Sequence, residues 1–144
     1  MTRLVIVLLF MYSFPGVTAQ TGKSIDSLYA VKDYLLQVKA AVNTTNVKEK
    51  QIALDSLIRI GIQQEKRLTR HLKVILPHRN DEREKTELSF HLILQSVALY
   101  RADLKQNSNS KSEAAYMNKN IPPLVNKIYY YCRLAVNLKD TNTR

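Results

Sequence analysis

Four cations, Arg59, Lys66, Arg70 and Lys73, recur at intervals of seven, four and three, spacing that places them along one side of a helix. Such a row could hold phosphate, sulfate or carboxylate groups through charge-assisted hydrogen bonds. The same stretch carries a neighbouring row of Arg67, His71, Val74 and His78. The plainer reading is a hydrated helix face, partly neutralised across the next turn by Asp81, Glu82 and Glu84.

The three histidines, His71, His78 and His91, raise the question of a metal or haem. Metal sites in bundles use Glu-x-x-His units on facing helices. Here Leu68 precedes His71 by three and Leu88 precedes His91 by three, with Glu87 one residue further back. A hairpin folded near residue 78 sets His91 opposite residue 66, and His71 opposite residue 86. The two rings would then lie about 7 Å apart along the axis. There is no Cys-x-x-Cys-His haem attachment motif. The expectation is no metal and no cofactor, with His91 hydrogen-bonded at a packed edge. The alternative is a small-ligand or metal-binding bundle built on His91 and its neighbours.

Cys132 is the only cysteine and sits among apolar residues, which points to a small core side chain. No nucleophile, base and orienting group can be assembled, so no catalytic residue is assigned and no enzyme is expected. Tyr129, Tyr130 and Tyr131 are consecutive. Helical neighbours point about 100° apart, so all three cannot enter one core. With Tyr116 they are candidates for an aromatic contact patch. Asn43-Thr44-Thr45 is a glycosylation sequon in an expected turn.

The chain has 144 residues and a formal charge of +10, which favours polyanions without naming one. There is no zinc finger, aromatic RNA-binding motif or helix-turn-helix signature, and nucleic acid is not expected as the partner. The first 19 residues read as an export signal. Arg3 gives the positive start, Leu4–Tyr12 the apolar run, Pro15-Gly16 a breaker, and Val17 and Ala19 the −3 and −1 positions. The apolar run of nine residues is too short to span a bilayer, which needs about 20. Residues 20–144 then form one exported domain, periplasmic or extracellular, with no transmembrane segment. A lone cysteine cannot staple it, so a buried apolar core must hold it.

Four helices supply that core. Ile25, Leu28, Val31, Leu35, Val38 and Val42 form one stripe, with Ser24 as the expected N-cap. Asn46 and Glu49 make a capping box for a second helix ending near Leu76, where Pro77 disfavours helical backbone. Gly61 allows a kink, or the approach of Leu28 or Tyr29 from the first helix. The third helix begins near Asn80 or Asp81. Its run from Leu88 to Leu94 is apolar on most sides and reads as the most buried part of the chain. Gln106–Ser112 is a polar linker, and Ser110 with Glu113 forms another capping box. Pro122-Pro123 is expected to interrupt the last helix, which resumes with Leu124, Val125, Ile128, Cys132, Ala135 and Leu138. Residues 140–144 should fray.

The resulting expectation is an all-α, antiparallel up-down bundle of about four helices. It acts by contact, as a binding or adaptor module for a protein or an anionic partner, with self-association open. The contact surfaces are the Arg59, Lys66, Arg70 and Lys73 face and Tyr116, Tyr129, Tyr130 and Tyr131.

Overall fold

The computed structural model describes residues 16–106 and 111–141. The apolar run Leu4–Tyr12 and the N-cap position Ser110 lie outside the described residues. Within them are α1 (Gly16–Asn43), α2 (Val47–Ile75), α3 (Asn80–Gln106) and α4 (Lys111–Thr141). Each helix packs on its neighbour in sequence, and α1 also packs on α4, closing an up-down four-helix ring. Among the described residues, no helix is long and apolar enough to cross a membrane.

The first turn forms as its chemistry dictates. Asn46 has extended backbone, and its side chain accepts from the amides of Lys48 and Glu49, satisfying donors that open α2. The Asn46 side-chain Nδ2 also donates to Glu49 Oε1 at 3.3 Å, a side-chain link in place of the backbone return bond of the expected capping box. Between α2 and α3, Leu76 leaves helical geometry just before Pro77 and stays buried. Arg83 then donates to the Leu76 carbonyl at 3.2 Å, capping a group the helix end leaves open.

The core follows the stripes on α1, α2 and α4. Leu28, Val31, Leu35 and Val38 from α1 meet Leu54, Leu68 and Leu72 from α2, and Met117, Ile121, Ile128 and Cys132 from α4. Burial pushes the Cys132 thiol up to about 11, leaving it protonated and sequestered.

Four expectations are corrected. Ser24 is not an N-cap: α1 begins at Gly16, and buried Ser24 lies in its interior, with Oγ 2.9 Å from His71 Nδ1. The helix from Lys111 to Thr141 passes through Pro122-Pro123 without interruption. Two prolines remove two helical N–H donors, but buried Met117, Ile121, Leu124 and Ile128 anchor the helix on both sides of the pair. It also keeps Asp140 and Thr141 helical, and α3 takes Gln106 from the expected linker. Gly61 does not break α2, and it is no seat for Leu28 or Tyr29. Instead Tyr34 lies against it: a Cβ there would sit 2.7 Å from Tyr34 Oη and 2.9 Å from Leu94 Cδ2. The Tyr34 hydroxyl donates to the Leu57 carbonyl, one turn before the glycine, at 3.1 Å.

The fourth correction concerns α3, which is not the most buried helix. Phe90, Ile93, Val97 and Tyr100 enter the core, with Thr86 beside them. Leu88, Leu92 and Leu99 remain 57%, 39% and 57% exposed. The run is apolar on two opposite faces, and the bundle covers only one.

Candidate functional site

The α2–α3 hairpin builds an open groove of about 820 Å³. It is lined by Glu65, Lys66, Thr69, Arg70 and Lys73 from α2 and by Glu84, Glu87, Leu88 and His91 from α3. The cations are exposed, because the opposite side of α2 carries Leu54, Leu57, Leu68 and Leu72 inward. Three of the four candidate cations therefore share one bank. Arg59 is exposed too, but does not line this groove. Its charge falls near Asp55, further along α2.

The facing bank changes the electrostatics. Glu84 and Glu87 oppose the cations, so the groove is dipolar across its width rather than uniformly positive. Sequence reasoning set Glu84, with Asp81 and Glu82, across the turn as partial neutralisers of the basic row, and missed that role for Glu87. The hairpin arithmetic that sets His91 opposite residue 66 carries the missing signal, because it sets Glu84 and Glu87 opposite residues close to 70.

His91 closes one end of the groove. Its Nδ1 lies 2.8 Å from Glu65 Oε1, and Gln95 Nε2 lies 3.0 Å from its Nε2. An amide donor at Nε2 places the ring proton on Nδ1, directed at the carboxylate. Both ring nitrogens are thus engaged by side chains. Among the described residues, no three His, Cys, Asp or Glu side chains converge as a metal site would require. Beyond His91, the wall continues into a smaller, mostly apolar hollow of about 240 Å³, lined by Ile58, Ile62, Leu94 and Ala98 among others.

His71 lies elsewhere. Its Nδ1 contacts Ser24 on α1, and burial, then the charges of Arg70 and Arg67, hold its pKa below the usual histidine value. The α2–α3 pair is further tied by a bidentate contact. Arg101 Nε and Nη2 donate to the two Asp55 oxygens at 2.8 and 2.9 Å. That hydrogen-bonded cation holds the Asp55 carboxyl below its ordinary range.

The four tyrosines do not form one patch. Tyr131 is fully buried, a correction to its assignment as a contact residue. Its hydroxyl donates to Glu82 Oε1 at 2.8 Å and lies 3.1 Å from Thr86 Oγ1. Burial pushes its pKa well above the usual phenol value. Tyr129 and Tyr130 are half exposed, and Tyr130 stacks obliquely on Tyr131 with centroids 5.7 Å apart. Tyr116 is half buried in a small pocket with Ser89, Asn120 and Lys127. It lies about 20 Å along the helix from the other three, too far to act with them.

Asn43, in the sequon, ends α1 rather than standing in an open turn. Its Nδ2 donates to the Lys39 carbonyl at 2.8 Å and to Asn118 Oδ1 at 3.0 Å, and Asn118 donates back to its Oδ1 at 3.2 Å. Both amide protons are engaged, so a glycan on Nδ2 would break one of these bonds. No family model, curated protein or solved structure matches the chain.

Proposed function

We propose that the protein is an exported, non-enzymatic binding module that holds an anionic partner along the α2 bank of the α2–α3 groove. The observation that carries this reading is the alignment of exposed Lys66, Arg70 and Lys73 on one wall of an open groove. Phosphate or carboxylate groups of the partner pair with this wall, and the facing Glu84 and Glu87 repel a misplaced anion and admit a cation. The groove thereby favours a partner that carries both charges over a uniform polyanion. Exposed Leu88 adds an apolar contact between the banks. Export rests on the ordered signal pattern of the first 19 residues.

The test is titration with a polyglutamate peptide and with a peptide of alternating glutamate and lysine blocks. Binding is expected at about 0.01 M salt, weakening toward 0.15 M as the screening length falls from roughly 30 to 8 Å. The combined Lys66→Glu, Arg70→Glu and Lys73→Glu variant should abolish it, while Arg59→Glu should leave most of it. No binding of either peptide at low salt, or equal loss from Arg59→Glu, refutes the reading.

A further inference from the structure

We propose that the outward face of α3 is a self-association surface, on which a second copy of this chain docks its own α3 antiparallel. The inference rests on a different observation from the anionic-partner reading, and because Glu84 and Leu88 line the groove as well, a docked second copy and the anionic partner compete for the α3 bank. Along α3, Leu88, Leu92, Gln95, Leu99 and Ala102 follow one another at intervals of four, three, four and three. That is the repeat of a coiled-coil seam. All five are exposed, and their direction is opposite to that of Phe90, Ile93 and Val97, which face the core. One helix therefore carries two apolar faces, and the fold fills only the inner one.

The occupant is argued from self-complementarity. An antiparallel pairing centred between residues 93 and 94 sets Leu88 against Leu99 of the second copy, and Leu92 against Gln95, each twice by symmetry. Gln95, and Lys85 facing Ala102 at each end, are the polar members of the seam, the kind of residue that fixes register at some cost in stability. Charge follows the same direction. The first turn of α3 is acidic, with Asp81 and Glu82, and the last carries Lys105. In this register, exposed Glu84 flanks the seam opposite exposed Lys105 of the second copy, giving two symmetric ion pairs. A parallel arrangement would instead set Glu84 beside Glu84 and Lys105 beside Lys105. The other flank brings Glu82 toward Asp103. Glu82 is, however, turned inward, held by Arg79 and by the Tyr131 hydroxyl. The helix dipoles also oppose one another favourably.

The test is the mass of the full chain in solution across a wide concentration range, by sedimentation or light scattering. The wild type is expected to reach the mass of two chains. Leu88→Glu with Leu99→Glu should run as one chain with its helix content and melting profile retained. Lys105→Glu should weaken association by about tenfold, through two ion pairs turned repulsive. Adding Glu84→Lys to Lys105→Glu should restore it, because both charges are then exchanged. Should the leucine variant fail to fold, the charge exchange decides alone, since Glu84 and Lys105 are both exposed. A wild-type chain that stays single, a pair that survives the leucine variant, or an exchange that does not restore association overturns the proposal. So does a single chain whose leucine face binds anionic vesicles, which would make a lipid surface the occupant.

Discussion

The neighbouring helices α2 and α3 are nearly equal in length, 29 and 27 residues, and both bury one face in the same core. Their outward faces differ in chemistry. The outer side of α2 carries Arg59, Lys66, Arg70 and Lys73 with Ile52 and Ile62 scattered among charges, while that of α3 carries the aligned leucines Leu88, Leu92 and Leu99. Water solvates the first at no cost and meets the second poorly. The difference teaches that apolar periodicity marks a face that favours cover but does not say what covers it. On α2 the leucine stripe enters the core, while Ile52 and Ile62 stay exposed among the charged residues. On α3 the pattern reads as deep burial because two stripes overlap in the sequence.

That contrast can be broken most sharply within α3 itself. Phe90 is fully buried and its ring packs 5.8 Å from that of Tyr34. Phe90→Ala should cost about 3–5 kcal/mol in chemical denaturation. Leu99→Ser, measured at a concentration where the chain is single, should change stability by no more than about 0.5 kcal/mol. Comparable losses at the two positions would mean that the outer stripe is covered within the chain.

On the inner side of α2, Gly61→Leu should destabilise by about 1–3 kcal/mol, because the added side chain meets the Tyr34 hydroxyl and Leu94. Combining Gly61→Ala with Tyr34→Phe should cost less than the sum of the two, since the phenol oxygen is the nearest obstacle. Strict additivity would show that the ring does not sit against the glycine.

A smaller effect distinguishes the tyrosines beside α3. Tyr131→Phe removes a buried hydroxyl shared by Glu82 and Thr86 and should cost about 1 kcal/mol. Tyr129→Phe, on a half-exposed ring, should leave the thermal midpoint unchanged.

The smallest expected effect is that of pH at the α1–α2 contact. His71 has a folded pKa below its ordinary 6.5, first through burial and then through Arg70 and Arg67. As pH falls, the unfolded chain takes up this proton first. The contribution is therefore complete above pH 6.5 and erodes as pH drops through the lower folded value. His71→Gln should flatten that slope in a series of thermal melts, and an unchanged slope would place the acid sensitivity elsewhere.

Much of the architecture was legible because its signals are local. Asn46 caps α2 wherever it packs, Pro77 ends it, and most of the stripe on each of α1, α2 and α4 is buried, with Leu138 of α4 left exposed. The sequence also limited Tyr129, Tyr130 and Tyr131 to incomplete burial, by the 100° step alone. Which of them turned inward was not legible, because it depends on where Glu82 and Thr86 of another helix stand. The basic bank of the groove was visible as spacing, whereas its acidic bank needed the hairpin register.

Chain order and side-chain type thus determined four rods, the ends of α2 and the charge it carries. Tertiary packing decided that Pro122-Pro123 would be carried through a helix, that Tyr34 would fill the space at Gly61, and which of α3's two apolar faces would be enclosed. The physical reason is range. Caps, turns and periodicity act over a few residues, whereas enclosure is a competition among surfaces that meet only once the chain has folded.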